Sequence, residues 1–375
     1  MPADDFNQSV FNSEAENFIN TQKISSTSFV SNVTTKLALF KSNNFLFPVS
    51  INETEYTNSY VCSPFTALVP YATQECKKLN NAFLKLAINA FMPLLGSYCK
   101  KRQINRVLQI NNWLLSTNLY PKSWTGDTIS QQIDNLVRQY PDHTIMLRSL
   151  THHSNSILID NLTDAGFELI PSRQVYLYDQ TLHPYSTRNN IKNDYRLLKK
   201  TLAGRNEYQR IDNDDIQANW IPRILELYNM LYLQKYSVHN PMFTEGFLQY
   251  ALKSNLFNLE VFMNRHGQID AVGGRIQVDQ TCTLPLVGYD THLGKQKGLY
   301  RLVLASATDY ALKNDLIFHA SAGASEFKRL RGGIPYIEYS AIYIKHLDPR
   351  RQIVWRRLAK ILNRYIVPIM KKQQL

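Results

Sequence analysis

The sequence is poor in cysteine and has no long apolar run, and these two absences exclude whole classes of protein. Only four of the 375 residues are cysteines, and no two of them form a C-x-x-C pair. Such spacing is typical of reduced thiols in a cytoplasmic protein and not of a disulfide framework. No apolar run approaches the roughly 18 to 20 residues that cross a bilayer, and the polar start, Met1 to Asn20, is not expected to act as a signal peptide.

Motifs for covalent or metal-dependent catalysis are also missing. The sequence has no G-x-S-x-G elbow and no convincing cysteine nucleophile, which favours direct transfer between substrates without a covalent enzyme intermediate. His152 and His153 have no partner ligands at useful spacing, so we predict no metal site and place them in a loop or in the first turn of the following helix. We likewise expect no permanently bound cofactor.

The composition is that of a globular protein whose positive charge is unevenly placed. Hydrophobic residues make up 44% and charged residues 19% of a chain that is long enough for two domains. Most of the net charge of +12 lies in residues 345–375, which carry nine Lys/Arg and one acid. The modest excess on the rest of the chain suits an enzyme that handles anionic donors.

Apolar periodicity predicts a first domain of mixed α/β structure over residues 26–180, after a polar segment, 1–25. Strands are expected at 36–40, 45–51, 59–69, 143–150 and 169–178, and helices at 79–95 and 154–165. Residues 181–210 are polar and carry Pro184, so they are the predicted linker, with a short helix at 192–202.

The second predicted domain, 211–346, has a clearer order of elements. Asp214 is expected to cap a helix whose apolar residues recur from Ile216 to Leu231. Strands at 256–263, 269–278 and 282–289, joined by tight turns, predict an antiparallel meander. A helix at 299–313 and strands at 316–320 and 336–344 follow. The whole chain is therefore of the α/β (α+β) class.

The chain ends in a basic amphipathic helix within residues 347–375. Its apolar residues fall largely on one face, with Arg and Lys beside or opposite them. We expect the apolar face to dock on the protein body. Binding of this helix to an anionic membrane or to RNA is the alternative.

The densest functional signal lies between Leu286 and Tyr339. A strand that ends in Gly288-Tyr289-Asp290 runs into a turn rich in Lys and Gly that opens a helix. Free N–H groups and the dipole of a helix start favour a bound phosphate, and two lysines add positive charge. The predicted donor-binding residues of this turn are Lys295, Gln296, Lys297, Gly298 and Leu299. An ordinary strand-to-helix turn with solvated lysines is the alternative.

Three motifs follow one another in this half: Gly288-Tyr289-Asp290 at a strand end, Lys297-Gly298-Leu299-Tyr300 at a helix start, and Ser321-Ala322-Gly323 before Phe327-Lys328-Arg329. With the preceding helix and meander, they make residues 194–344 resemble the N-acyltransferase superfamily with the GNAT fold, in particular its FemAB-like branch with two GNAT domains. The sequence departs from the family at Tyr300, where the family's phosphate loop carries a small residue. The first half looks like a degenerate copy, through Ile145-Met146-Leu147-Arg148 and Gly166-Phe167.

This resemblance implies two tandem GNAT-like domains, each a twisted, mostly antiparallel sheet flanked by helices. It implies an N-acyltransferase that moves an acyl group from a thioester, acyl-CoA or acyl carrier protein, to a small-molecule amine by direct attack. The second domain would bind this co-substrate, and the first would shape the acceptor site. An aminoacyl-tRNA donor, less favoured, and a non-catalytic protein that binds a membrane surface or nucleic acid are the alternatives.

Proton-transfer groups in open sheets tend to project from strand ends into the cleft, and here they include two candidate bases and one candidate acid. The predicted catalytic residues are His319 and Asp290 as bases, Tyr289 as acid, and Glu326. The other predicted donor-binding residues are Lys328, Arg329 and Arg331, and the predicted substrate-binding residues are Lys235 and Ser321. The alternatives are a core histidine at 319, a solvated charge run at 326–331 and dipole compensation by Lys235.

Overall fold

The computed structural model describes residues 8–21, 25–76 and 82–373, which form one large sheet flanked by helices. The strands are β1 (Lys36–Ser42), β2 (Phe45–Asn52), β3 (Val107–Ile110), β4 (Thr144–Leu150), β5 (Glu168–Tyr178), β6 (Tyr208–Asp212), β7 (Phe257–Asn264), β8 (Ile269–Val278), β9 (Thr281–Tyr289), β10 (Ile317–His319) and β11 (Ile334–Tyr343). The helices of the first half are α1 (Gln8–Thr21), α2 (Pro64–Thr66), α3 (Ala72–Cys76), α4 (Ala82–Lys101), α5 (Ile129–Gln139) and α6 (His152–Asp164). The later helices are α7 (Asn189–Leu202), α8 (Ile221–Asn229), α9 (Glu245–Lys253), α10 (Leu299–Lys313), α11 (Ser325–Arg329), α12 (Pro349–Ile361) and α13 (Val367–Gln373).

The sheet has the same plan in both halves. Its strand order is β1-β2-β3-β4-β11-β5-β10-β9-β8-β7-β6. In each half an antiparallel run ends in one parallel pair, β3 with β4 and β9 with β10. The antiparallel pairing of β5 with β10 then joins the halves. This architecture confirms the predicted α/β class with two mostly antiparallel halves, although the strands of both halves join in one continuous sheet.

The last strand of the chain lies within the first half of the sheet. β11 is inserted between β4 and β5 and pairs with both, with Ala341 opposite Leu147 and Glu338 opposite Arg173. The sequence predicts a strand here but says nothing about its neighbours. Because β11 supplies the hydrogen bonds that link β4 to β5, the first half cannot be excised from the chain with its sheet intact.

Turn chemistry explains why the meander matches its prediction. Between β7 and β8 the Asn264 side chain accepts the N–H groups of His266 and Gln268, and Gly267 has a φ of 75°. Between β8 and β9 the positive φ falls on Asp279, a residue type that tolerates this conformation. As a result β7, β8, β9 and α10 begin and end within one residue of the predicted bounds.

Two local predictions are wrong. The strand expected at 59–69 is a helical segment from residue 64 onwards, because the Ser63 side chain accepts the N–H of Thr66 and Pro64 occupies the first turn. A π-helical turn, Ala67–Tyr71, continues it. Asp214 does not cap α8, which begins only at Ile221 after two 3-10 turns.

The C-terminal helix docks on the protein body, as predicted. Val354, Trp355 and Leu358 of α12 are buried, and Trp355 Nε1 lies 3.0 Å from Thr144 Oγ1 at the start of β4. A π-helical turn, Leu362–Ile366, links α12 to α13. Within residues 8–21, 25–76 and 82–373, no helix is both long and apolar enough to cross a bilayer.

Helices cover both faces of the sheet where the second half carries its predicted site. On one face α10 packs over β8, and a Cβ on Gly273 would come within 3.1 Å of Val303. On the other face a Cβ on Gly288 of β9 would lie 2.6 Å from backbone atoms of Leu227 and Tyr228 in α8. This close approach requires glycine at 288 and fixes the end of β9 against α8.

Candidate active site

The candidate active site is a cleft that opens between β9 and β10. These parallel strands pair only over residues 281–283 and 317–319, and β9 then continues to Tyr289 paired with β8 alone. After His319 the chain turns away, because Ala320 donates its N–H to the carbonyl of Tyr176 on β5 and Ser321 accepts the N–H of Tyr176. β10 therefore stays with β5 while β9 stays with β8, and the two strands diverge.

The free edge of β9 presents backbone N–H groups to this cleft. Asp290, just after β9, donates its N–H to the carbonyl of Asp270 on the β8 side. Successive residues of a strand direct their N–H groups to opposite edges. The N–H groups of Tyr289 and Val287 therefore point to the other edge, where no strand of the described chain pairs with them. Fixed donors of this kind can stabilise an oxyanion.

A lysine and a tyrosine are paired at the end of this edge. Lys235 lies in the π-helical turn Met230–Tyr236, and its Nζ donates to Tyr289 Oη across 3.0 Å. This hydrogen bond raises the pKa of Lys235, so the amine stays an ammonium. Because the ammonium uses a lone pair of the phenol oxygen, the phenol proton is left to be donated elsewhere. The structure thus brings the predicted acid and one predicted substrate-binding residue together.

The predicted phosphate turn forms the start of α10. Residues 295–297 make a 3-10 turn, Gly298 has a φ of 68°, and the helix begins at Leu299 without a side-chain cap. Lys295 and Gln296 are exposed, Lys297 is bound to Glu207 with Nζ 2.5 Å from Oε2, and Leu299 is buried. An uncapped helix start has unpaired N–H groups and the positive end of the helix dipole, which together can hold an anion.

Tyr300, in the first turn of α10, places its ring beside residues of the cleft. Its ring centroid lies 4.9 Å from that of Phe327 on α11 and 6.1 Å from that of Tyr289. Burial chiefly, and then the neighbouring phenols, raise the pKa of Tyr300. The departure from the family motif at this position therefore places a large ring where a small residue would leave the helix start open to a ligand.

The loop after β10 has an unusual backbone and is held by Lys328. Ser321, Gly323 and Ala324 have φ values of 57°, 77° and 48°, and the two that are not glycine are strained. The buried Nζ of Lys328 donates to the carbonyls of residues 320, 321 and 322 at 2.6, 3.3 and 2.9 Å. Burial, and then the charge of Arg173, lower the pKa of Lys328 to about 7. Three carbonyl acceptors nevertheless match the three N–H groups of an ammonium and favour the charged form.

Behind this loop lies an ion pair that is not apparent from the sequence motifs. Arg173 Nε on β5 is 2.8 Å from Glu338 Oε1 on β11, and Arg173 also donates to the Ser116 carbonyl and the Thr117 hydroxyl. Burial alone would lower the pKa of Arg173, but the Glu338 carboxylate raises it. A sequence signal that could have revealed this pair is a charged residue in the middle of a largely apolar strand, Arg173 in β5 and Glu338 in β11, because such a residue usually needs a partner.

His319 is buried next to this pair. Its Nδ1 accepts the N–H of Ser321 at 3.1 Å, so Nε2 carries the proton and lies 4.0 Å from Glu338 Oε2. Burial lowers the pKa of His319 to about 4, which makes the ring neutral at pH 7. Since its one lone pair is already occupied, the ring fixes the loop after β10, and a role as base needs that hydrogen bond to open.

Three other candidates are Asp290, just after β9, and Glu326 and Arg329 on α11. Asp290 Oδ2 is 2.8 Å from Arg223 Nη2. Burial alone would raise the pKa of Asp290, but the hydrogen bond and charge of Arg223 lower it. Glu326 is exposed on α11, and Arg329 is half-buried on the same helix. The structure therefore does not bring Asp290, Glu326 and Arg329 to one point.

Arg331 belongs to a clamp between helices. Its Nε is 2.5 Å from Asp194 Oδ2 on α7, and Arg301 Nε on α10 is 2.6 Å from the other oxygen of the same carboxylate. The Arg331 guanidinium also lies over the Phe327 ring, 3.4 Å from its centroid. Arg331 thus joins α7, α10 and the segment after α11, and donor binding would compete with this ion pair.

Tyrosines from both halves meet beside the cleft. The rings of Tyr60 and Tyr71 in the first half are 5.0 Å apart, and those of Tyr228 and Tyr232 in the second half are stacked at 4.8 Å. Burial, and then the proximity of the other phenols, raise the pKa values of Tyr228 and Tyr232. One of these neighbouring phenols is Tyr300, so this tyrosine surface adjoins the cleft.

A separate open groove of about 1200 Å3 contains none of the predicted site residues. Its charged lining residues are Asp179, Asp214, Asp279, Asp315, Arg275 and Lys313. Because the carboxylates outnumber the cations, this groove is less suited to a phosphate-bearing donor than the start of α10.

Neither a metal centre nor a thiolate nucleophile emerges from the described residues. These contain no group of three His, Cys, Asp or Glu side chains that could hold a metal ion. His152 and His153 form the first turn of α6, where His153 Nε2 is 3.1 Å from Asp179. Burial raises the pKa of the Cys62 and Cys282 thiols to about 12 and that of Cys99 to about 11, so none of the three is a thiolate at neutral pH.

Comparison with solved structures shows which known proteins this chain resembles in fold. The crystal structure of FemX matches with a TM-score of 0.52 and 8% identity, over 93% of this chain and 98% of that one. L-PGS from Bacillus licheniformis matches with a TM-score of 0.44 and 11% identity, over 62% and 79%. A tandem GNAT protein from the clavulanic acid biosynthesis pathway matches with a TM-score of 0.39 and 8% identity, over 91% of this chain and 97% of that one. No protein-family model and no curated protein sequence matches the chain. The fold of this chain is therefore similar to that of FemX over almost the whole length of both chains.

Proposed function

We propose that the protein is an N-acyltransferase that moves an acyl group from a thioester to an amine in the cleft between β9 and β10. The free edge of β9 carries this proposal, because the N–H groups of Val287 and Tyr289 point into the cleft beside the Lys235–Tyr289 pair. Acyl transfer needs donors that stabilise an oxyanion and an acid that protonates the leaving group, and this edge offers both.

The reaction begins with attack of the amine nitrogen on the thioester carbonyl carbon. The carbonyl oxygen becomes an oxyanion facing the N–H groups of Val287 and Tyr289. As the tetrahedral intermediate collapses, the carbon–sulfur bond breaks and Tyr289 Oη gives its proton to the sulfur. The nitrogen loses a proton to solvent and the phenolate regains one from it, while the Lys235 ammonium, 3.0 Å away, stabilises the phenolate.

The donor is a co-substrate whose phosphate groups bind at the start of α10. The uncapped N–H groups there and the exposed Lys295 and Gln296 supply this site. Both coenzyme A and acyl carrier protein offer a thioester on a phosphate-bearing arm. The acceptor is a small-molecule amine that approaches over the tyrosine surface shared by the two halves.

An aminoacyl ester of tRNA is the second candidate donor, and the position of Tyr300 favours it. This ring lies in the first turn of α10, 6.1 Å from the ring of Tyr289, and reduces the room for a pyrophosphate there. A pyrophosphate has to displace it, whereas an aminoacyl ester enters the cleft without a pyrophosphate. The chemistry at the carbonyl is the same, with a ribose oxygen in place of the sulfur as the leaving atom.

Thiol release separates these donors. The protein is incubated with acyl-CoA or acyl carrier protein thioesters and a panel of primary amines, and free thiol is followed for the wild type and for Tyr300→Ala. Amine-dependent thiol release by the wild type supports the thioester proposal. Release that appears only after Tyr300→Ala, together with transfer from aminoacyl-tRNA by the wild type, supports the second candidate. If neither protein turns over or binds any of these donors, the acyltransferase proposal is wrong.

A further inference from the structure

Large apolar side chains are exposed together on α4 and on the C-terminal helical segment, which we call the α4/α12–α13 surface. On α4, Leu86, Phe91 and Leu94 expose 70%, 51% and 70% of their area. On the C-terminal segment the corresponding residues are Ile353, Ile361, Tyr365 and Ile369. The other large exposed apolar side chains of the described chain are scattered singly, which is ordinary for a folded protein.

These side chains form stripes on neighbouring helices. Leu86 and Leu94 are eight residues apart, and Ile361, Tyr365 and Ile369 follow at intervals of four, so each set lies along one helix face. Leu95 and Tyr98 of α4 and Ala359 and Leu362 of the C-terminal segment pack against the same apolar cluster. Arg357 Nη1 also lies 3.5 Å from Tyr98 Oη. The two stripes are therefore parts of one surface region.

The same helices carry many cations and no acid. Residues 82–101 contain three lysines and residues 349–373 contain eight Lys/Arg, with no Asp or Glu in either segment. Among the described ion pairs of these helices only Arg356 has an acidic partner, Glu168 at 2.9 Å. Exposed apolar stripes thus occur on the same helices as cations that, apart from Arg356, have no acidic partner among the described ion pairs.

We propose that the α4/α12–α13 surface docks on an anionic lipid bilayer. The interface of a bilayer accepts both features at once, because apolar side chains enter the acyl boundary while Lys and Arg stay among the anionic headgroups. RNA would use the cations but gains little from leucine and isoleucine side chains. The central part of a protein–protein interface is depleted of charge, unlike this surface. The protein lies on the membrane through side chains of docked helices.

Vesicle sedimentation tests this proposal without reference to enzymatic activity. Wild-type protein is mixed with vesicles of phosphatidylcholine alone or with an equal part of phosphatidylglycerol. We expect binding to the anionic vesicles that weakens with salt, and little binding to the neutral ones. Lys360→Gln/Arg364→Gln removes two exposed cations, each of which is expected to contribute roughly fivefold to the affinity. Leu86→Gln/Leu94→Gln removes apolar contact and should also weaken binding.

Matched controls come from exposed residues elsewhere on the molecule. Lys192→Gln/Lys199→Gln on α7 removes the same charge, and Leu182→Gln/Leu202→Gln removes the same kind of apolar area. Both controls should bind like the wild type. Melting curves show whether each variant is folded. If Leu86→Gln/Leu94→Gln has a lower melting temperature than the wild type, vesicle binding by Lys360→Gln/Arg364→Gln alone tests the proposal.

Three outcomes would overturn the proposal. One is the absence of binding to anionic vesicles at low salt, and another is an equal loss in the surface variants and their controls. The third is a single-stranded RNA that competes the protein off the vesicles by binding the same surface more tightly, which would assign the surface to nucleic acid.

Discussion

Arg173 on β5 and Glu338 on β11 form an ion pair in which the carboxylate is buried and the guanidinium half-buried, with 3% and 21% of the two side chains exposed. This pair joins the last strand of the chain to the first half of the sheet. Arg173→Met or Glu338→Gln leaves one charge without its partner, and we expect each to lower the free energy of unfolding by about 3 kcal/mol. The double variant Arg173→Met/Glu338→Gln should lose clearly less than the sum of the two single losses. Urea unfolding of the four proteins measures the coupling, and additive losses would show that the pair does not act as a unit.

Tyr289 and Lys235 should affect turnover and not folding. Tyr289→Phe removes the proposed proton donor and is expected to lower kcat by roughly 10²-fold or more. Lys235→Met removes the ammonium that stabilises the phenolate and should cause a smaller loss. Steady-state thiol release gives both values, and the exposed Tyr365→Phe is the matched control. A Tyr289→Phe enzyme with unchanged kcat would exclude this acid.

His319 makes stability depend on pH in a predictable direction. Its pKa is lowered from 6.5 to about 4 in the folded protein, so the unfolded chain binds more protons between these values. The contribution of His319 to the free energy of unfolding is therefore fully present above pH 6.5. It is lost as the pH falls from 6.5 towards 4, by at most about 1.4 kcal/mol per pH unit. His319→Gln should remove this slope. Urea unfolding at pH 7, 6 and 5 checks it, and parallel curves for the two proteins would contradict the prediction.

The same variant tests whether His319 is a base. If the ring only fixes the loop after β10, His319→Gln should keep turnover within a few-fold of the wild type wherever both proteins are folded. A loss of roughly 10²-fold in turnover at unchanged melting temperature would support a proton-accepting role.

Trp355 should contribute a large part of the stability that α12 supplies. It is 2% exposed and donates a hydrogen bond to Thr144. Trp355→Ala is expected to lower the free energy of unfolding by about 3 to 5 kcal/mol, whereas Ile361→Ala on the exposed side should change it by no more than about 0.5 kcal/mol. Thermal and urea unfolding compare the two. Equal effects would mean that α12 is not firmly docked.

Sequence patterns predicted the second half well, because its signals are local. Alternating apolar residues with Asn264 or Asp279 at the turns define β7, β8 and β9, and Gly298 defines the start of α10. The segment at 59–69 misleads, since its apolar run suits a strand while the capping residues Ser63 and Pro64 start a helix. Periodicity finds β11 but cannot find its neighbours, because strand pairing between distant segments leaves no local trace.

For the candidate site, too, the sequence reveals local features but not the contacts between distant residues. Tyr289 and Lys235 are predicted one by one from their places at a strand end and after a helix, but only the fold reveals their hydrogen bond. The Arg173–Glu338 pair joins residues 165 positions apart, so no motif contains both. His319 does end β10, as the sequence predicts, but the N–H of Ser321 that occupies its lone pair depends on loop geometry, which the sequence does not reveal.

The insertion of β11 has a consequence for how the protein is made. When the ribosome adds residue 334, the first of β11, β4 and β5 have long been synthesised, and each still lacks the neighbour that it has in the finished sheet. Two unpaired strand edges in a nascent chain invite pairing with other chains. The sheet of the first half is therefore completed only after the second half has been synthesised, and we expect nascent chains to depend on chaperone protection until β11 is available.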